Sequence, residues 1–432
     1  MLRIITQQAE AQTELRRINE RASHRELAAT EATVREILDT VKRQGDQALL
    51  DSSDGQQALT IQQLRVSGSE LDAAYQQVSK ELLDALQLAC RQLQALHRHR
   101  LPKSWVQFAE DETVLGKRYT PIEKVGLYVP NGNRANLSAV LLQAIPAQVA
   151  KVPRLVMATP PGAEQKINPG ILVAAQEAGV NEIYRVGGAW AIAALAYGTP
   201  TIPKVDLIAG WGNIEVMLAK KMVYGSVGID SLPGASDLIV IADREANPVQ
   251  IAADLLAQAQ REPMAAAILL TPDAAIAKNV QQEVQQQLEN HPQWLLTEKA
   301  LAHYGLIIVV DSLEVAVELS NSFAPQSLQL EVADPWTILE QIRHAGAIFL
   351  GNSTPKAVGD YLGGSALNLF PGGAARYASG ITVETFMKHS SVIQYSPSAL
   401  KKLASTLQIL AQAEGLSSQA DAVRLRTQRV LD

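Results

Sequence analysis

Short apolar runs, each closed by a glycine- or proline-bearing turn and followed by a helix-patterned stretch, recur between residues 125 and 350. This rhythm restricts the chain to an α/β fold, because neighbouring parallel strands must be joined by crossovers and helices supply them. Strands are expected at 125–129, 154–158, 182–186 and 205–209, with helices at 137–149, 169–178, 189–196 and 214–222. The pattern then restarts: strands at 238–242, 266–270, 306–310 and 347–350 alternate with helices at 248–260, 273–288, 313–320 and 335–344. Two successive runs predict two similar βαβ lobes, incomplete Rossmann-like units. Residues 32–41 and 69–96 carry apolar side chains at three- and four-residue spacing and read as helices, while 361–397 is glycine-rich and irregular. Residues 398–413 and 419–431 form an amphipathic helical arm of the kind that packs on a second subunit. The expected organisation is a helical region at 1–115, lobes at 116–237 and 238–375, and a C-terminal arm at 376–432.

Composition excludes several classes. At 432 residues, 47% hydrophobic and 19% charged, the chain can bury large cores without staples. A single cysteine, Cys90, excludes an intrachain disulfide and a cysteine-built metal cluster. The net charge of −6 gives no general attraction to nucleic acid. No apolar run suits a membrane span, and the N-terminus turns polar too early for a signal peptide, so a cytoplasmic protein is expected. The seven histidines include His97 and His99, expected as a solvated basic helix end.

Three glycine turns follow strands: Pro130-Asn-Gly132, Gly187-Gly188 and Gly210-Trp-Gly-Asn213. Backbone N–H groups at the start of a following helix can cradle a phosphate. None matches GxGxxG or a P-loop, so tight turns and a dinucleotide cleft both stay open on this feature.

Several stretches together resemble the histidinol dehydrogenase family. Val125-Gly-Leu-Tyr-Val-Pro130 is similar to its VGLYIPGG strand, and Val186-Gly-Gly-Ala-Trp-Ala-Ile-Ala-Ala-Leu-Ala-Tyr-Gly-Thr199 to VGGAQAIAALAFGT. Lys204 to Asn213 resembles KVDKIFGPGN, Asp254 to Arg261 resembles DLLSQAEH, and Gly359-Asp-Tyr361 resembles the start of GDYxSGTNHVLP. The resemblance runs in order over nearly the whole chain. It implies a homodimer that oxidises L-histidinol to L-histidine in two NAD-dependent steps, with a zinc ion holding the substrate and a Glu-His pair moving protons.

The residues at the implied site depart from that pattern. The positions matching the zinc ligands hold Gln258, Arg261, Asp360 and Gln419. That leaves one carboxylate, two amides and a permanent cation, a poor set for zinc. The proton-transfer motif GPEHL reads Ala324-Pro-Gln-Ser-Leu328, with Gln326 and Ser327 in place of the acid–base pair. A third family histidine is Leu367. Tyr128 and Asn213 match positions that touch NAD, Trp190 stands at a lost contact, and Trp211 replaces a proline; the two indoles are expected to fill the cleft. Ser236, Gln258, Asp360 and Glu414 match substrate positions.

The expectation drawn is a catalytically inactive homologue, with no intact catalytic residue and neither zinc nor another bound cofactor. It would act as a homodimer by binding an unidentified protein or small molecule. The alternative is an active NAD-dependent histidinol dehydrogenase of histidine biosynthesis, or a related amino-alcohol dehydrogenase. A third reading is another chemistry in the same cleft using Asp360, Glu414 or Ser236. Arg261 is expected to stand in for the metal by pairing with Asp360 and donating to the amide oxygens of Gln258 and Gln419.

Overall fold

The computed structural model describes residues 2–22, 27–51, 60–130, 135–162, 165–232, 234–364 and 372–428. The strands in chain order are β1 (Arg3–Ile5), β2 (Trp105–Phe108), β3 (Val114–Pro121), β4 (Lys124–Tyr128), β5 (Arg154–Thr159), β6 (Glu182–Arg185) and β7 (Leu207–Gly210). They continue as β8 (Gly228–Ile229), β9 (Asp237–Ala242), β10 (Ala266–Thr271), β11 (Gly305–Val309), β12 (Ser327–Glu331), β13 (Ala347–Leu350) and β14 (Met387–Gln394). The chain divides into two units, Met1–Arg100 with Ile122–Phe386, and Leu101–Pro121 with Met387–Asp432.

The larger unit contains two parallel sheets. One has the order β6-β5-β4-β7-β8, the other β1-β11-β10-β9-β12-β13. Leaving β1 aside, both are wound alike: third strand, second, first, fourth, fifth. The two-lobe α/β architecture expected from the sequence is therefore present. Each lobe reverses strand order between its first and fourth strands, the topological switch point where doubly wound sheets open a crevice beyond their carboxyl ends.

The strands are near-continuous apolar runs because helices cover both faces. In β9, Leu238 to Ala242 are all buried; Ile239 and Ile241 join one core, while Leu238, Val240 and Ala242 join the other. Several helices begin where a side chain satisfies one of their first N–H groups. Asn247 accepts from Val249 ahead of Pro248–Ala259, Asp273 from Ala275 and Ile276, and Asn213 from Val216. Each such cap contributes about 1 kcal/mol.

Several local expectations need correction. Residues 69–96 form two helices, Gly68–Tyr75 and Lys80–His99, with Ser79 capping the second. His97 is not solvated: it is 1% exposed, on the stripe of Leu86, Cys90 and Leu93, and burial lowers its pKa to about 4. His99 is exposed. The stretch read as irregular contains β14, which pairs antiparallel with β3 along its whole length.

The second unit is built on the antiparallel sheet β14-β3-β2 and two mutually packed helices, Pro397–Ala413 and Ser417–Thr427. Ser396 caps the first helix at Ala399 and donates to the Asp111 carbonyl, 2.7 Å away. Its exposed large apolar side chains include Trp105, Phe108, Ile393, Ile409 and Leu410. No helix among the described residues is long and apolar enough to cross a membrane.

Candidate active site

The first lobe's switch point lies between β4 and β7, where Tyr128 and Gly210 are register partners. The Tyr128 hydroxyl accepts from the Gly188 N–H, 3.0 Å away, at the start of the helix Gly188–Tyr197. Burial raises its pKa, opposed by that N–H. Gly210 has φ +114°, and a Cβ there would lie 2.2 Å from the Tyr128 carbonyl oxygen. Both its backbone polar groups are held: the N–H donates to Asp230 Oδ2 at 3.1 Å, and the carbonyl accepts from Lys220 Nζ at 2.6 Å. Lys220 and Asp230 also pair with each other in full burial.

Asn213 caps the next helix, Ile214–Val223. Gly188 has φ +59°, and a Cβ there would meet nothing closer than Glu215 Oε2 at 3.9 Å, so the backbone at this helix start stays approachable. Trp190 packs on the lobe's own core, and Trp211 is half-buried. The Gly188 and Val216 N–H groups already donate to Tyr128 and Asn213, so a phosphate here would have to use the other first-turn N–H groups of these two helices.

The positions singled out in the second lobe meet at the amino ends of β9 and β12. The helix Pro248–Ala259 runs back along the sheet and delivers Gln258 there, with Arg261 just beyond. Gln258 is 1% exposed; its Nε2 donates to Ser236 Oγ at 3.1 Å, and its Oε1 is buried without a partner. The Ser236 N–H donates to Glu262 Oε1 at 2.7 Å. The Gln326 N–H donates to Asp237 Oδ1 at 2.6 Å, and its Nε2 to the Ala235 carbonyl at 3.0 Å. Ser327 Oγ is buried and unpaired. Burial raises the Asp237 pKa against the pull of Arg21, whose Nη2 lies 3.5 Å away and also donates to the carbonyls of Ala235 and Ser236.

Arg261 pairs with Asp360 as expected, Nη1 to Oδ2 at 2.8 Å. It does not donate to Gln258, whose Oε1 is unpaired, which corrects that half of the expectation. The residue that sequence reading missed is Lys356. Its Nζ lies 3.1 Å from Asp360 Oδ1 and 3.0 Å from Oδ2, one helical turn before it in Lys356–Tyr361. The i, i+4 spacing of Lys and Asp was the available signal. Burial, then the Arg261 charge, lowers the Lys356 pKa to about 8. This short helix also packs on the first-lobe helix Leu137–Val149.

This donor set does not fit a zinc ion. Its one carboxylate already holds two cations, and no group of three or more His, Cys, Asp or Glu side chains gathers among the described residues.

Asp254, on the helix Pro248–Ala259, and Glu331, at the end of β12, form an acidic pair. Gln329 Nε2 donates to Asp254 Oδ2 and to Glu331 Oε1, both at 2.6 Å. Burial and then the neighbouring Asp254 raise the Glu331 pKa to about 7.

Glu414 ends the helix Pro397–Ala413 and Gln419 lies in Ser417–Thr427; both are exposed and belong to the second unit. Leu367 lies outside the described residues.

A two-lobed, doubly wound α/β chain with a charged cluster in its second lobe defines the class. Residues 20–427 match the histidinol dehydrogenase family. A protein of Trichormus variabilis named histidinol dehydrogenase 2 is 64% identical over 99% of this chain and 100% of its own length. A histidinol dehydrogenase of Thermosynechococcus vestitus is 62% identical over 99% of this chain and 100% of its own length. The crystal structure of histidinol dehydrogenase from Elizabethkingia anophelis superposes with a TM-score of 0.92 at 32% identity, covering 99% of this chain and 97% of that one. The chain belongs to the histidinol dehydrogenase family.

These likenesses correct the expectation of a non-catalytic binding homologue. Relatives 62–64% identical across the whole chain carry an enzyme's name, and the alternative reading is the one they favour. The pseudoenzyme inference relied on altered side chains at Arg261, Gln419, Gln326, Ser327, Leu367, Trp190 and Trp211.

Proposed function

We propose that this chain is an NAD-dependent oxidoreductase that converts histidinol, or a closely related amino alcohol, to the amino acid, as a homodimer in histidine biosynthesis. The whole-length likeness to relatives named histidinol dehydrogenase carries this reading. The dinucleotide would sit at the β4–β7 switch point, against Gly188, Tyr128 and Asn213. When bound it would supply the hydride acceptor for each of two oxidations, alcohol to aldehyde and, after addition of water, aldehyde hydrate to carboxylate.

The chain's own side chains supply binding and orientation. Tyr128 fixes the Gly188 N–H, and the Lys220–Asp230 pair fixes Gly210, so the turn is set before ligand arrives. In the other lobe Gln258 Oε1 offers a buried acceptor to a substrate N–H or O–H, and Ser236 Oγ holds its amide in place. Lys356 Nζ and Arg261 Nη1 both hold Asp360, which keeps that carboxylate paired. Gln326 is held by Asp237 and the Ala235 carbonyl, so it orients the amino end of β12 and accepts no proton. The exposed apolar side chains of the second unit support the homodimer.

The test is direct. Purified protein is mixed with histidinol and NAD, and NADH is followed by absorbance while histidine is assayed chromatographically. Two NADH per histidine are expected. No NADH with any amino alcohol tried, at high enzyme concentration, would overturn the reading.

A further inference from the structure

We infer that the Lys356–Asp360–Arg261 cluster takes the place of a metal ion, so that the site holds its substrate end by fixed side-chain charge. The inference deepens the proposed dehydrogenase reading and rests on it. Its first support is geometric. Both oxygens of Asp360 are within 3.1 Å of Lys356 Nζ, and one is also 2.8 Å from Arg261 Nη1. A dication binding this carboxylate would have to displace an ammonium and a guanidinium together.

The second support is burial. Lys356 is 9% exposed, and the carboxylates facing it are Asp360 on its own helix, Asp237 at the start of β9 and Asp254 on the helix above the sheet. An ammonium is tolerated in such a place only when paired. Lys356 is therefore built into the site rather than swung in from solvent. Arg261, which is half-exposed and cannot lose its proton, closes the other side of Asp360.

The third support is the neighbouring orphan. Gln258 Oε1 is buried with no donor, although two cationic side chains lie on the same cluster and are committed to Asp360. Leaving a buried acceptor unpaired is destabilising, so this one is open to a donor that arrives with the ligand. The cluster thus divides the work of a metal site. Positive charge is supplied by Lys356 and Arg261, and ligand recognition by the free amide oxygen.

The test uses the full chain. Protein dialysed against zinc, then desalted, is analysed for bound zinc and melted with and without EDTA. Zinc below about a tenth of an atom per chain and an unchanged melting temperature are expected. Near-stoichiometric zinc whose removal lowers the melting temperature would overturn the inference. Arg261→His combined with Lys356→Glu removes both cations and adds two ligands; it should take up zinc and melt higher with it. A folded double variant that ignores zinc would show that these cations are not what excludes the metal, and would also overturn the inference. Should that variant fail to fold, the zinc content of the unaltered protein decides alone. The functional reading fails separately: metal-free protein that makes no NADH sinks the dehydrogenase but leaves the cluster's role intact, whereas NADH formation abolished by EDTA and restored by zinc does the reverse.

Discussion

Lys220 and Asp230 form a fully buried ion pair whose two members each hold one backbone group of Gly210. The pair ties the end of β7 to the following helix at the point where the first lobe's strand order reverses. Truncating one partner leaves the other charge buried alone, which typically costs 3–5 kcal/mol. Lys220→Met should lower stability by about that much in urea unfolding. Lys220→Met with Asp230→Leu should recover most of the loss. A double variant no more stable than the single one would show that the clamp on Gly210, rather than the stranded charge, dominates.

The start of the helix Gly188–Tyr197 is where the proposed dinucleotide would lie. Gly188→Val would place a branched side chain at φ +59° and into that opening. Strain of about 1–2 kcal/mol is expected, and NAD affinity should fall at least about tenfold by titration calorimetry. An unchanged affinity would move the cofactor elsewhere.

Glu331 provides a pH signature. Burial and Asp254 raise its pKa to about 7 from an ordinary 4.5. Between those values the folded chain holds a proton that the unfolded chain has released, so stability falls as pH rises through that window. The melting temperature should drop from pH 5 to pH 8, and Glu331→Gln should flatten the slope by on the order of 2 kcal/mol across it. A slope unchanged in the variant would place the titration on another group.

The second unit's apolar surface bears on assembly. Leu410 and Ile409 are 58% and 62% exposed on the helix Pro397–Ala413. With the chain dimeric as proposed, Leu410→Asp should shift it to monomer in sedimentation velocity while the isolated chain keeps its far-ultraviolet spectrum. A variant that stays dimeric would exclude this face.

The doubly wound fold was legible because strands such as β9 and β10 are unbroken apolar runs, a pattern that burial between helices imposes. The antiparallel sheet was not. Trp105–Phe108 is exposed throughout and Met387–Gln394 nearly so, so neither carries the alternation that one buried face produces. His97 was misread because its basic neighbours masked its place on the buried stripe of its helix. The Arg261–Asp360 pairing was legible from the charge change at one position, since a guanidinium beside a retained carboxylate pairs with it. Lys356 was passed over because a lysine near a helix start usually faces solvent; its burial comes from packing that one sequence does not display. The inactive reading gave too much weight to Gln326 and Ser327 and too little to the unaltered length of the chain.

The central claim is an oxidoreductase whose charged cluster does a metal's work. It is tested most directly by incubating EDTA-treated, zinc-free protein with histidinol and NAD and recording NADH. The account predicts sustained NADH formation at a rate that added zinc does not raise. NADH that appears only after zinc is restored would contradict it, as would none under either condition.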